Sequence, residues 1–375
     1  MKEIEQNLSE VEVYLNSQKV GELALFDRFR IAFQYDNDFI KNGFSICPTN
    51  LPLTKQVFIA EYEPFKGLFG VFNDSLPDGW GQLLVDRFLR KEGIDFSSIN
   101  PLSCLSFLNS SSKGALEYKP SNSFDGYNSF PDLDKLNTSC QTVLDSSFTN
   151  ETLDSLFIMG GSSGGAGPKI NATINNEEWI IKFPSSFDNF EIGEEEYDYS
   201  LCAKECGIEI SETKLFESKN CAGYFGTKRF DRKNGKRIHM VSSSGLLQVS
   251  HTVPSLDYLS LLKLTQFLTK SEPESFQLFK RACFNVFSHN RDDHSNNFAF
   301  LCEGGAWRLS PAYDLTYSNS ISGQHATTVN GNGINPGKKD LLMLSYKIGI
   351  KKSKAISAIE EIETLVHQRL EKYFK

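Results

Sequence analysis

The chain has 375 residues and a formal net charge of −8, enough length for two or three domains each with its own core. Its acidic balance, with a pI near 5.4, excludes the basic excess expected of a free-standing nucleic-acid binder. With 39% hydrophobic and 23% charged residues the composition is that of an ordinary globular protein. Residues 1–12 are charged and lack the apolar core of a signal peptide. No run approaches the roughly eighteen apolar residues that would span a bilayer. Eight dispersed cysteines without a CxxC pair predict buried, reduced thiols. The expectation is a cytoplasmic protein that does not contact a membrane.

Residues 9–72 read as short strands (VEVYLN, VGELAL, RIAFQYD, QVFIAEY) separated by turns. In NDSLPDGWGQLLVDRFLRKEG, a Pro77–Asp78–Gly79 turn precedes Leu83, Leu84, Phe88 and Leu89 at helical spacing. The stretch 108–150, rich in Ser, Asn, Asp and Pro, predicts a loop-heavy connection. A short helix from 152 then leads into MGGSSGGAGPK (159–169), the strands INATIN and EWIIKFPS, and a helix over 192–206. That helix offers Tyr197, Leu201, Cys202 and Cys206 to an interior. Strands continue to about 250 through ETKLFES, YFGTKRFDR and RIHMVS, after which the pattern turns helical. Residues 273–288 place Phe276, Phe279, Ala282, Cys283, Val286 and Phe287 on one face. A last helix carries Ile356, Ile359, Ile362, Val366 and Leu370.

The chemistry is concentrated in HNRDDHSNNF (289–298) and SPAYDLTYS (310–318). Asp292, Asn297 and Asp314 are the residue types, in the order and spacing, that phosphoryl transfer from Mg-ATP requires. Asp292 would take the proton of an incoming hydroxyl, while Asn297 and Asp314 would hold Mg²⁺ against the phosphates. His294, on the nucleotide side, would brace the loop by hydrogen bonding. A surface loop whose Asp and Asn residues merely cap turns has the same local pattern. The six histidines show no metal-ligand spacing, so magnesium is the one metal expected.

Lys182 stands alone in an apolar strand and precedes a helix opening with Glu194, Glu195 and Glu196. Lysine on a strand and glutamate on the next helix form the ion pair that fixes a kinase lysine on the α- and β-phosphates. Glu196 is chosen from the three, although an acidic helix start also compensates the helix dipole. The Gly-rich segment, with Gly161, Gly164 and Gly165, offers backbone N–H groups to an anion. Ser162 and Ser163 place hydroxyls near where a γ-phosphate would lie. Pro168 rules out a Walker A motif, and a flexible linker is the competing reading. GTKRFDR (226–232) would join two lobes with backbone groups around Lys228 to Phe230 facing adenine, unless it is a plain hairpin arm. The lysines of 338–354 read as a solvated helix face.

These stretches together resemble the HipA-like serine/threonine kinase toxins of bacterial toxin–antitoxin modules. The matching pieces are SLPDGWGQ, GGSSGGAGPK, WIIKFP, EEEYDYSLCAKECGIEI, TKRFDR, NRDDHSNNF and SPAYDLTYS, in family order. The resemblance implies an α+β, two-lobed protein-kinase-like fold. Its expected parts are a β-rich N-terminal subdomain (1–115), a connecting segment (116–150), an ATP-binding lobe (151–250) and an all-helical catalytic lobe (251–375). It also implies ATP and Mg²⁺ as cofactors and a small helix-turn-helix antitoxin as partner, with operator DNA contacted only through that antitoxin. The expected protein substrate is a translation component such as an aminoacyl-tRNA synthetase. Autophosphorylation is expected at Ser162, with Ser163 as rival, silencing the enzyme by adding charge where ATP's phosphates must sit. Asn296 departs from the lysine often found before the magnesium Asn. Two alternatives stand beside this reading: a HipA-like kinase outside any toxin module acting on another protein or a small-molecule or lipid hydroxyl, and a non-catalytic co-repressor subunit.

Overall fold

The computed structural model describes residues 7–108, 111–121, 132–160, 165–320 and 323–374. The chain divides into two compact units, residues 1–193 with 214–241, and residues 194–213 with 242–375.

The first unit holds two sheets. In the N-terminal one, β1 (Glu10–Leu15), β2 (Gln18–Leu25), β3 (Ile31–Tyr35), β4 (Val57–Ile59) and β5 (Leu116–Lys119) lie in the order β4-β3-β2-β1-β5. Strict alternation explains why β1 is a strand: Val11, Val13 and Leu15 are buried, while the residues between them are not. Asn16 and Ser17, both at positive φ, form the two-residue turn that sets Leu15 opposite Gln18. The same device closes the hairpin of β6 (Lys169–Ile174) and β7 (Glu177–Lys182), where Asn175 and Asn176 have φ of 51° and 64°. With β8 (Thr213–Phe216) and β9 (Tyr224–Lys228) these strands give the sheet β6-β7-β9-β8.

Three helices, α1 (Gly79–Lys91), α2 (Leu133–Leu144) and α3 (Asn150–Gly160), share one core with this second sheet. Trp80, Leu84 and Phe88 of α1 belong to it together with Leu156 and Phe157 of α3 and Ile170, Trp179 and Ile181 of the sheet. Phe88 and Phe157 stack at 4.3 Å. Each such buried ring contributes roughly 1.5–3 kcal/mol, so α1 is fastened to the second sheet by its apolar stripe.

A buried ion cluster ties 111–114 to the end of β9. Asp231 accepts from Arg229 Nε (2.9 Å) and Nη2 (2.7 Å), from Arg232 Nη1 (2.9 Å) and from the Gly114 amide (2.8 Å). Arg229 also donates to the carbonyls of Ser111 and Ser112 and to Asn171 Oδ1.

The second unit contains most of α4 (Ile192–Glu205), then α5 (Tyr258–Thr269), α6 (Glu272–Phe287), α7 (Lys338–Lys347) and α8 (Lys352–Leu370). Ser271 caps α6 by accepting from the Glu274 amide, and Pro273 occupies its first turn. Leu278, Phe279, Ala282, Cys283 and Val286 are buried on α6, as are Ile359, Ile362, Val366 and Leu370 on α8. On α4 the interior face consists of Tyr199, Cys202, Ala203 and Cys206, whereas Leu201 is 39% exposed and Tyr197 only half-buried. The lobe expected to be all-helical carries strands as well. They are the hairpin of β10 (Ala299–Glu303) and β11 (Ala306–Leu309) and a parallel pair, Leu256–Asp257 with Thr327–Thr328. The apolar run AFL within β10 is buried on both faces, a pattern that periodicity does not separate from helix.

All eight cysteines are free thiols, seven of them buried. Among the described residues, no helix is long and apolar enough to cross a membrane.

Candidate active site

In the first unit, Lys182 ends β7 and is paired in register with Lys169, the last residue of the Gly-rich segment. Residues opposite one another across a hairpin project from the same face, so two ammonium groups arise side by side where an anion would be favoured. Lys182 Nζ lies 5.7 Å from the centre of the Phe225 ring. Gly161, Ser162, Ser163 and Gly164 lie outside the described residues. Gly165, which follows them, is described and held firmly. Its amide donates to Asp78 Oδ1, and its carbonyl accepts from the Trp80 amide at 2.9 Å. Asp78 therefore spends its carboxylate on Gly165 and not on capping its own helix α1. Gly79 sits at φ +45°, and a Cβ there would strike the Gly165 carbonyl. Trp80 Nε1 donates to the Lys169 carbonyl at 3.1 Å. Lys228 ion-pairs with Glu177 across the sheet, and Phe230 is half-buried.

The second unit brings Asp292, Asn297 and Asp314 into one pair of adjoining loops. After α6 the chain turns at His289 (φ 54°) and runs through Asp292 to a 3₁₀ turn over Ser295–Asn297. His294 caps that turn, its Nδ1 accepting from the Asn296 amide at 3.2 Å, which is the bracing expected of it. Asn297 Nδ2 donates to the Asp292 carbonyl at 2.7 Å. The donor half of the amide is thereby committed, and Oδ1 remains to meet a cation. Asp314 is in the left-handed region at φ 52°, tolerable for Asp. Its carbonyl accepts from Asn290 Nδ2 at 3.5 Å. The flanking Tyr313 hydroxyl donates to the Asn296 carbonyl, and the Ser318 amide donates to His289 O at 3.0 Å. Asn296 Oδ1 accepts from the Ser242 hydroxyl at 3.3 Å.

Asp292 is exposed, yet partial desolvation raises its pKa above the ordinary carboxylate value. The nearby charges of Asp314 and Asp293 act the same way and His294 opposes them. Asp293, its neighbour, is completely buried. It accepts from Tyr258 Oη (2.8 Å), His325 Nδ1 (3.0 Å) and the Thr327 amide (3.1 Å). Asn285 Nδ2 in turn donates to Tyr258 Oη at 2.8 Å. At the start of α4, Glu195 and Glu196 are both buried, and Glu195 Oε1 accepts from Thr316 Oγ1 at 3.3 Å, two residues beyond Asp314.

Comparison with known proteins decides the family. The model of the HipA-like C-terminal domain matches residues 161–370, and that of the HipA N-terminal domain matches residues 11–119. The chain belongs to the HipA family. Its fold is that of a solved HipA from Shewanella oneidensis, in a complex with HipB and operator DNA. The two are 19% identical at a TM-score of 0.71, over 96% of this chain and 90% of that one. The Helicobacter pylori proinflammatory kinase CtkA matches 54% of this chain and 89% of its own at a TM-score of 0.38 and 19% identity, too distant to carry an argument.

For this HipA-family chain, the oxygen donors suit magnesium. Among the described residues, no three His, Cys, Asp or Glu side chains converge on a metal position. Magnesium is normally bound by one or two carboxylates with waters and substrate phosphates, not by an all-protein cage. Asn297 and Asp314 are a donor pair of that kind.

Sequence reasoning missed Asp78, Lys169 and Asp293. Lys169 follows the last glycine after Pro168, and its strand register opposite Lys182 was the signal available. Asp78 and Asp293 gave none, because their partners lie 87 and 32–35 residues away.

Proposed function

We propose that this HipA-family protein is an ATP- and Mg²⁺-dependent protein serine/threonine kinase, the toxin of a toxin–antitoxin pair. The observation that carries the reading is the hydrogen bond from Asn297 Nδ2 to the Asp292 carbonyl, with Asp314 pinned alongside through Asn290 and Tyr313. A general base and two oxygen donors for a cation thus share one braced framework. Asp292, solvent-accessible and with a raised pKa, accepts the proton of the attacking hydroxyl. Lys182 would meet the α- and β-phosphates of bound ATP. The Gly161 and Gly164 amides would cover the phosphates of bound ATP, with Gly165 anchoring the segment through Asp78, and backbone near Lys228 and Phe230 would face adenine. Magnesium held by Asn297 and Asp314 would neutralise phosphate charge when bound.

The Shewanella oneidensis HipA is assembled with HipB and operator DNA. This supports a helix-turn-helix antitoxin as partner of the present chain, with DNA reached only through it, in keeping with the net charge of −8. The family resemblance supports a serine or threonine of a translation component, such as an aminoacyl-tRNA synthetase, as acceptor in the cytoplasm. It also supports Ser162, or Ser163 beside it, as the autophosphorylated residue.

Intact-mass measurement after incubation with Mg-ATP is expected to show an added phosphate that is absent in Asp292→Asn, with peptide mapping placing it on Ser162 or Ser163. No phosphate on the wild-type protein at any Mg-ATP concentration would overturn the kinase reading. A phosphate mapped outside 159–169 overturns the loop assignment alone.

A further inference from the structure

A cavity of about 180 Å³ in the second unit is lined by His289, Arg291, His325 and His367, with Ile334 and Pro336 among the apolar residues that complete it. No carboxylate is among its lining residues. The volume exceeds that of a phosphate group with a few waters, since a water occupies roughly 30 Å³.

Arg291 is half-buried, and its hydrogen-bond partners are Asn319 Oδ1 and His289 Nδ1, each at 3.3 Å. Both are neutral acceptors at marginal distance, so a guanidinium suited to bidentate oxyanion binding is held without a counter-charge from them. Because guanidinium can only donate, His289 Nδ1 is the acceptor in that contact and the ring proton sits on Nε2. His325 has the complementary arrangement. Its Nδ1 donates to Asp293 Oδ2, an orientation that steadies the ring and leaves Nε2 for the cavity. His289 and His367 are both set against the Phe374 ring, at 4.8 and 6.0 Å. Burial first, then Arg291, His325 and His367, holds the His289 imidazole below its ordinary pKa.

We propose that this cavity binds the dianionic phosphate of a phosphate monoester or of inorganic phosphate, coordinated by Arg291 and the three histidines. Its position beside Asp292 gives the binding a consequence. Arg291 precedes Asp292 in the chain, and its carbonyl accepts from the Ala326 amide at 3.0 Å. Asp293 follows Asp292 and holds His325. A bound phosphate engages both neighbours of Asp292 and steadies the base between them. That consequence rests on the kinase reading; the binding itself does not.

The test follows the side-chain ¹H–¹⁵N resonances of the six histidines in the full chain. It is titrated with inorganic phosphate in one arm and with N-acetyl-O-phosphoserine amide in the other. His289, His325 and His367 are expected to shift together while the buried His239 stays still. Arg291→Gln is expected to weaken binding at least about tenfold. His367→Ala, at an exposed position on α8 that leaves the loop untouched, is expected to weaken it at least about threefold. Tighter binding of the phosphoserine compound supports a protein-borne phosphate as the occupant, and equal binding supports free phosphate. Shifts confined to His251 and His294, or unaltered affinity in both variants, overturn the proposal. Phosphotransfer measured on the same samples separates the two readings. Binding without transfer counts against the kinase alone, and transfer without binding counts against the cavity alone.

Discussion

Asp293 Oδ2 lies 3.0 Å from His325 Nδ1 in the closed interior of the second unit, one residue after Asp292. The carboxylate also takes the Tyr258 hydroxyl and the Thr327 amide, so one buried acceptor group anchors three distant parts of the chain. Asp293→Asn would turn one oxygen into a donor facing donors. Expected outcomes are a loss of about 3 kcal/mol in stability, within the range for breaking a buried charged network, and a phosphotransfer rate reduced at least tenfold. Urea midpoints and initial rates measure the two effects, and an unchanged midpoint would show that the brace is unimportant.

Asp78 and Gly79 act on the Gly-rich segment from outside it. Asp78→Ala removes the acceptor for the Gly165 amide, a contact that positions the loop without belonging to the core. The expected result is a rise in KM for ATP of roughly tenfold, because misplacement of a positioned group is felt strongly in catalysis. Stability is expected to change by no more than about 1 kcal/mol. Gly79→Ala should behave differently. It strains a positive-φ residue and drives a methyl into the Gly165 carbonyl, so both stability and KM are expected to worsen.

The raised pKa of Asp292 has consequences for pH and for stability. As the proposed general base it must be ionised, so the acid limb of kcat/KM is expected above the ordinary carboxylate range. A carboxyl with a folded pKa above its unfolded value binds more protons folded than unfolded between the two. Stability therefore falls as pH rises through that window, and the full cost is present above both pKa values. Asp292→Asn is accordingly expected to be inactive yet at least as stable as wild type at pH 7. Melting curves at pH 4 and pH 7 check this, and marked destabilisation at pH 7 would contradict it.

The buried Asp231 cluster predicts a purely structural lesion. Asp231→Ala leaves Arg229, which is 5% exposed, without its counter-charge and frees the Gly114 amide. The expected cost is about 3–5 kcal/mol, read by denaturant unfolding. The Asp231 carboxyl is held well below the ordinary range, chiefly by Arg229 against the cost of burial. Its stabilisation is thus present above the unfolded carboxylate pKa and is lost as pH falls below it.

The candidate base and metal donors were legible because they are local. Asp292 and Asn297 are five residues apart, and the Asn297 side chain closes back on Asp292 within the same turn. The hairpins were equally plain: alternation marked β1, and Asn175–Asn176 supplied the left-handed turn before Lys182. His294 could be placed as a brace because its partner is two residues away. Where a side chain's partner is remote, pattern reading failed. TKRFDR read as a lobe-joining segment or a plain hairpin arm, and neither reading foresaw that Arg229, Asp231 and Arg232 are consumed by residues 111–114. The inward set on α4 shifted from Tyr197 and Leu201 to Tyr199 and Ala203, since a few apolar positions on one helix are compatible with more than one face until a neighbour is packed against it.

By itself, then, the sequence determined the residue types and short-range spacings of the candidate catalytic loop, the lysine strand and the turns, because rigid local geometry converts spacing directly into position. Tertiary structure alone decided what holds those parts still. Asp293 became the anchor of the loop, Asp78 the clasp on Gly165, and His367 of α8 a neighbour of Arg291 in one cavity. Each pairing joins residues from tens to nearly ninety positions apart, a separation that no periodicity encodes and only burial and hydrogen-bond satisfaction bring together.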